Sequence, residues 1–151
     1  MTERRKRGTE TPRSSSEAAT KRMKAVRSRD TAPEKALRSA LHRLGLRFRV
    51  NQPVVGVRRK ADVVFRKARV AVFIDGCFWH GCPLHASWPK ANAEFWRTKI
   101  EANRTRDVKT DRDLIAAGWT PIRVWEHECV EAAATRVGAI VRAIESSSYM
   151  R

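Results

Sequence analysis

Apolar residues recur at three- and four-residue intervals at Ala36, Leu37, Ala40, Leu41 and Leu44, which predicts one buried helix face. Thr31 and Glu34 have the spacing of a capping box, Pro33 suits the first turn, and Gly45 supplies a stop. Leu46 to Val50 alternates apolar and basic residues and predicts a strand. Asn51 to Val57, with Pro53 and Gly56, predicts a loop. Two β-rich runs follow, Ala61 to Phe65 and Val70 to Ile74, with a hairpin-length connection at Arg66 to Arg69. The second run is almost wholly apolar, as expected of a central strand covered on both faces.

From Gly76 to Pro89 the chain is irregular and rich in Cys, His and Trp. Glu94 to Ala117 predicts a long charged helix anchored by Phe95, Ile100, Leu114 and Ile115, with Gly118 ending it. Trp119 to Trp125 predicts a strand, and Val130 to Ile144 a last amphipathic helix. The order is α-β-β-β-α-β-α, an α/β arrangement with helices packed on a mixed sheet. Residues 1–22 carry seven basic and three acidic side chains and almost no large apolar ones, which predicts a disordered basic tail. Residues 23–151 are expected to form a single domain.

Charge sharpens this picture. With 32 Lys and Arg against 16 Asp and Glu in 151 residues, the formal charge of +16 calls for a polyanionic partner. No run approaches the roughly 18 apolar residues of a membrane span, and the opening residues lack an apolar signal core. A cytoplasmic, nucleoid-associated protein without membrane contact is expected. Three cysteines, an odd number, argue against a disulfide framework and leave metal binding open.

Four groups of residues can carry chemistry. Cys77, Cys82 and His85 form C-x4-C-x2-H, and His127 and Cys129 lie much later in the chain. Four such ligands can close a structural tetrahedral zinc site; the alternative is two ordinary buried thiols and a surface histidine. All three cysteines and three of the four histidines lie in or beside these two groups, which favours zinc. Asp62 and Asp75 stand at neighbouring strand ends, where carboxylates can share a divalent cation, and His80 is close enough in sequence to act as a general base. Asp62 could instead simply pair with Arg58, Arg59 or Lys60. Phe78 and Trp79 are adjacent in a loop; periodicity alone favours packing over the zinc loop, while outward presentation would suit a wedge entering a base step. The densest basic clusters, Lys21 to Arg29 and Arg58 to Lys60, suit a phosphate backbone.

The segments RSRDTAPEKALRSALHRLGLRFRV, KADVVF, VAVFIDGCFWHGCPLH, WPKANAEFWRTKIEANRTRD and GWTPIRVWEHE resemble, in order, the very short patch repair (Vsr) endonucleases. The resemblance implies a restriction-endonuclease-like fold, a mixed sheet flanked by helices with an αβββαβ core and a structural zinc site. It implies Mg2+-dependent nicking of the T strand in double-stranded DNA beside a T:G mismatch, such as arises from 5-methylcytosine deamination. Position by position it implies that Asp62 and the backbone carbonyl of Ile74 bind Mg2+ and that His80 is the catalytic base or water-positioning group. Glu34 would help to organise the site. Phe78 and Trp79 would wedge into the DNA, and from the basic clusters Arg27, Arg29, Arg58 and Lys60 are expected on the phosphates. Cys77, Cys82, His85 and His127 would hold Zn2+.

There are departures. Ala61-Asp62 replaces the Pro-Asp of many relatives, and Asp75 is either a second metal ligand or the partner of His80. The zinc loop differs from the C-x4-H-x-C of some relatives, and Cys129 competes with His127 for the fourth position. A monomer is expected, and mismatch-repair proteins are candidate partners. Two other readings are a zinc-stabilised DNA-binding module without catalysis and a nuclease with another DNA target.

Overall fold

The computed structural model describes residues 29–54, 59–85 and 90–151. The predicted tail at 1–22, Arg27 and Arg58 lie outside the described residues. The elements run α1 (Ala32–Arg43), β1 (Arg49–Pro53), β2 (Lys60–Phe65), β3 (Val70–Asp75), α2 (Ala93–Ala116), β4 (Thr120–Trp125) and α3 (Val130–Tyr149). This is the predicted element order. Among the described residues no helix is long and apolar enough to cross a membrane.

The sheet is ordered β1-β2-β3-β4. β2 pairs antiparallel with β1 and with β3, and β4 joins β3 in parallel. α2 is the crossover that a parallel pair requires. β3 lies between β2 and β4, and only Ile74 of its six residues is less than fully buried, as its apolar run predicts.

The core divides across the sheet. On one side Leu37 and Leu41 of α1 and Val137 and Val141 of α3 pack on Val63, Phe65, Val70, Val72, Ile122 and Val124. The other side holds a smaller cluster of Val54, Ala61, Val64, Ala71 and Phe73, to which α2 contributes Leu114. Ala61 packs with Val64 rather than with Val63, so the strict two-residue alternation of a strand breaks at Asp62.

Three local expectations are corrected. The first strand is Arg49–Pro53, displaced from Leu46 to Val50 into the predicted loop. Leu46 is buried beside Gly138 of α3, and β1 is an edge strand, where the missing amide of Pro53 costs nothing. Ile115 is not an anchor of α2, being 63% exposed. It follows Leu114 directly and so points about 100° away from the buried line. The capping box is displaced: Thr31 makes no side-chain cap bond, and the Glu34 carboxylate accepts from the Asp30 amide at 2.7 Å. Gly45 and Gly118 end their helices with φ of +77° and +80°, as expected.

Candidate active site

The chemistry gathers where β3 ends, on the turn Gly76–His85 and the facing parts of β2, α2 and β4. Asp62 of β2 turns its carboxylate to the neighbouring strand, where Oδ2 accepts from the Ile74 amide at 2.7 Å. Burial pushes this carboxyl up to about 6, and the negative charges of Glu34 and Asp75 add to the rise against the Ile74 amide, which opposes it. Glu34 is itself buried and bound by Arg38 at 3.2 Å. Buried and under the negative charges of Glu34 and Asp75, the Asp62 carboxylate offers the kind of hard oxygen that Mg2+ prefers, but among the described residues it belongs to no group of three ligand atoms within 4.8 Å of one another.

His80 has a partner that the sequence did not disclose. Its Nδ1 lies 2.5 Å from Oδ2 of Asp107, on α2, and 3.8 Å from Oδ1 of Asp75. Burial raises the Asp107 carboxyl, but the hydrogen bond from His80 and the charges of His80, Arg123 and Arg59 outweigh it and hold it below the usual range. Burial raises the Asp75 carboxyl, with Arg123 the largest opposing charge. Asp107 was legible in one respect. Ile100, Asp107 and Leu114 are seven residues apart and all buried, so an acid interrupts the apolar line of α2.

Asp75, His80 and Asp107 place ligand-type atoms within 4.8 Å of one another. Two arginines already sit on those carboxylates. Arg59 pairs with Asp107, and Arg123 donates to Asp75 Oδ1 at 3.1 Å and lies 3.5 Å from Asp107 Oδ1. The suggested pairing of Asp62 with its basic neighbours is therefore not seen for Arg59, which reaches across to α2.

A second cluster contains Cys77, Cys82, His85 and His127, with one ligand atom from each within 4.8 Å of the others. His127 Nδ1 is 3.1 Å from the Cys77 sulfur and 3.6 Å from that of Cys82, and His85 Nδ1 is 3.8 Å from the Cys82 sulfur. Zinc–ligand bonds of about 2.0–2.3 Å in a tetrahedron set ligand–ligand edges of roughly 3.5 Å, which these distances bracket. The donor set fits Zn2+. Cys129 is outside it, with an exposed thiol 3.5 Å from Glu131 Oε2. Burial pushes the Cys77 thiol up to about 11, with Cys82 and Glu126 adding. Burial acts in the same sense on Cys82, but hydrogen bonds led by the Leu84 amide and His85 bring it below its ordinary value.

The turn is fastened at both ends. Glu126 accepts from the Cys77 amide at 2.8 Å, and Gly81, with φ of +62°, lets the chain pass against α2. Between the cysteines, Phe78 and Trp79 are half-buried and meet edge-to-face at 5.2 Å, and both pack on Trp96 at 5.4 and 5.8 Å. The Lys99 ammonium lies 5.8 Å from the centre of a Trp79 ring. The Trp79 carbonyl is held by Asn103 at 3.0 Å. Arg29 and Lys60 are exposed, as phosphate contacts would have to be.

The model of the DNA mismatch endonuclease Vsr family matches residues 14–86. The Type II nicking enzyme V.NaeI of Lentzea aerocolonigenes is 47% identical over 118 residues, covering 76% of this chain and 71% of its own. The chain belongs to the Vsr family. The Type II nicking enzyme V.XorIIP of Xanthomonas oryzae pv. oryzae is 44% identical over 108 residues, 70% of this chain and 77% of that one. The DNA mismatch endonuclease Vsr of Escherichia coli K12 is 40% identical over 108 residues, 70% of this chain and 67% of its own. The sheet flanked by helices is consistent with the Vsr family, whose resemblance the GCFWHGC and EFWRTKI segments carry.

Proposed function

We propose that this Vsr-family protein is a DNA endonuclease that nicks the T-containing strand beside a T:G mismatch by Mg2+-dependent hydrolysis. The observation that carries the reading is the His80–Asp107 hydrogen bond, set at the same end of the sheet as Asp62. An imidazole whose Nδ1–H is fixed by a carboxylate has Nε2 free to take a proton from water, the role required of a general base. A DNA-binding module without catalysis gives that pair no task.

Asp62, with the Ile74 carbonyl, would hold Mg2+, and Glu34 would orient the surrounding hydrogen bonds. When bound, the ion supplies charge stabilisation at the phosphodiester. His80 accepts the proton of the attacking water, and Asp107 stabilises the imidazolium that results. Phe78 and Trp79, on the turn that carries His80, wedge beside the mismatch and so couple recognition to the position of the base. Arg29 and Lys60, with Arg27 and Arg58, contact phosphates. Cys77, Cys82, His85 and His127 hold Zn2+ as a structural clasp on that turn. Action as a monomer in the cytoplasm fits a single-strand cut, which one site can make.

The test is a strand-resolved nicking assay on duplexes with one T:G mismatch in several flanking sequences, beside matched duplexes, with Mg2+ or EDTA. Nicking of the T strand alone, dependent on Mg2+ and abolished in Asp62→Ala, is the expected result. Tight DNA binding without nicking in any context would favour the binding module. Equal cutting of matched duplexes would point to another DNA target.

A further inference from the structure

Among the described residues, Leu114 is the one α2 residue in the apolar cluster on its side of the sheet. Seven residues earlier, at Asp107, the helix is tied to the sheet by charge instead. The tie is Arg123 of β4, opposite Phe73 in the parallel register. Its guanidinium lies over the Phe73 ring at 4.3 Å, which fixes the plane in which it donates. Nη1 donates to Asp75 Oδ1 at 3.1 Å, and Nη2 to Asp111 Oδ1 at 2.7 Å and to the Asp107 carbonyl at 3.3 Å. Nε donates to both Asp111 oxygens, at 3.1 and 3.3 Å. One side chain, 19% exposed, thus joins the end of β3 to a full turn of α2.

We propose that Arg123 is a positioning residue for His80, acting by clamping α2 to the sheet so that Asp107 meets His80 Nδ1 while Asp75 is drawn aside. The proposal rests on the reading of His80 as the base. Asp75 and Asp107 are both near His80 Nδ1, at 3.8 and 2.5 Å, and they compete for one N–H. Arg123 resolves the competition by engaging Asp75 directly and holding the backbone of Asp107 where its carboxylate prevails. A planar fork with several fixed donors can do this; a lysine, with one ammonium, cannot span the three aspartates.

The experiment uses the full chain labelled with 15N-histidine, with His80→Gln assigning the His80 resonances. At alkaline pH the wild type should show one His80 tautomer, protonated at Nδ1. Arg123→Met should lose that single tautomer, and Arg123→Lys should not restore it. A His80 15N pattern unchanged in Arg123→Met overturns the proposal. If circular dichroism shows Arg123→Met to be unfolded, Asp111→Asn decides instead. That change removes the anion and one of the two oxygens that accept the three Arg123 hydrogen bonds, without touching His80; a lost or mixed tautomer is again expected, an unchanged one fatal. In single-turnover nicking of a T:G duplex, Arg123→Met should lower the rate roughly 100-fold with the Kd for DNA unchanged. A fall in DNA binding that accounts for the whole loss would also overturn it. A wild type that nicks no duplex would sink the nuclease reading, while the tautomer measurement would still decide the role of Arg123.

Discussion

His80 and Asp107 are 27 residues apart in sequence, and their side chains meet at 2.5 Å. The histidine belongs to the turn after β3 and the aspartate to the middle of α2. Their contact joins the segment that carries the aromatic pair to the helix that crosses behind it. It also gives His80 a fixed orientation, which a side chain on a turn would otherwise lack.

Asp107→Asn should therefore impair the chemistry more than the binding. An amide can donate to Nδ1, which turns the imidazole to the tautomer whose Nε2 already carries a proton. Single-turnover nicking is expected to fall by roughly 10³-fold or more with the DNA Kd unchanged. A loss below about 10-fold would remove His80 from the role of base.

Asp62 sets a pH dependence for the Mg2+-free protein. Its carboxyl titrates near 3.8 when unfolded and is pushed up to about 6 by burial, so the folded state holds the extra proton between these values. Stability from this group is full below about pH 4 and is lost as pH rises through 6. At pH 7 the buried anion costs on the order of 2–3 kcal/mol. Asp62→Asn should stabilise the protein by about that amount at pH 7 and by little at pH 4 in urea titrations. Added Mg2+ should stabilise the wild type and not the variant. Equal urea midpoints at pH 7 would contradict the burial argument.

The four-ligand cluster predicts a contrast between two cysteines. Cys77→Ser should lose bound zinc by elemental analysis and lower the Tm by roughly 10 °C, because the clasp on the turn opens. Cys129→Ser should keep both zinc content and Tm, since that thiol faces Glu131. Zinc lost from Cys129→Ser and retained in Cys77→Ser would reverse the assignment.

At Gly81 the turn passes close against α2. A Cβ there would lie 2.9 Å from Ile100 Cγ2 and 3.3 Å from Arg104 Cδ. The arginine can move, but Ile100 is 1% exposed and has nowhere to go. Gly81→Ala also places an L side chain at φ of +62°, so a loss of about 1–3 kcal/mol is expected, with slower nicking because His80 adjoins it. Wild-type thermal stability in that variant would show that the turn rests elsewhere.

Elements with a strong local period were legible before folding. The helix face at Leu37 and Leu41, the apolar run Val70 to Ile74 and the stops at Gly45 and Gly118 follow from side-chain spacing and backbone freedom. β1 was misplaced because an edge strand contributes few buried residues, so its pattern is weak and Pro53 resembles a loop signal. Ile115 reads as an anchor in the sequence because it is apolar and adjoins Leu114, although the two point in different directions on a helix.

The sequence by itself determined which chemical groups the chain owns: the Cys77, Cys82, His85 and His127 set, the Asp62 carboxylate, the His80 imidazole and the basic excess. It also determined the order of elements, because helix and strand periods are properties of neighbouring residues. Tertiary structure decided the pairings. It kept Cys129 away from the metal-type cluster, gave His80 to Asp107 rather than to Asp75, and made Arg123 the tie between α2 and the sheet. On a helix dense with Asp, Glu, Lys and Arg, sequence spacing marks every charge as a candidate for solvent. Only the crossing of α2 over β3 and β4 removes water from Asp107 and turns one ordinary acid into the partner of a histidine.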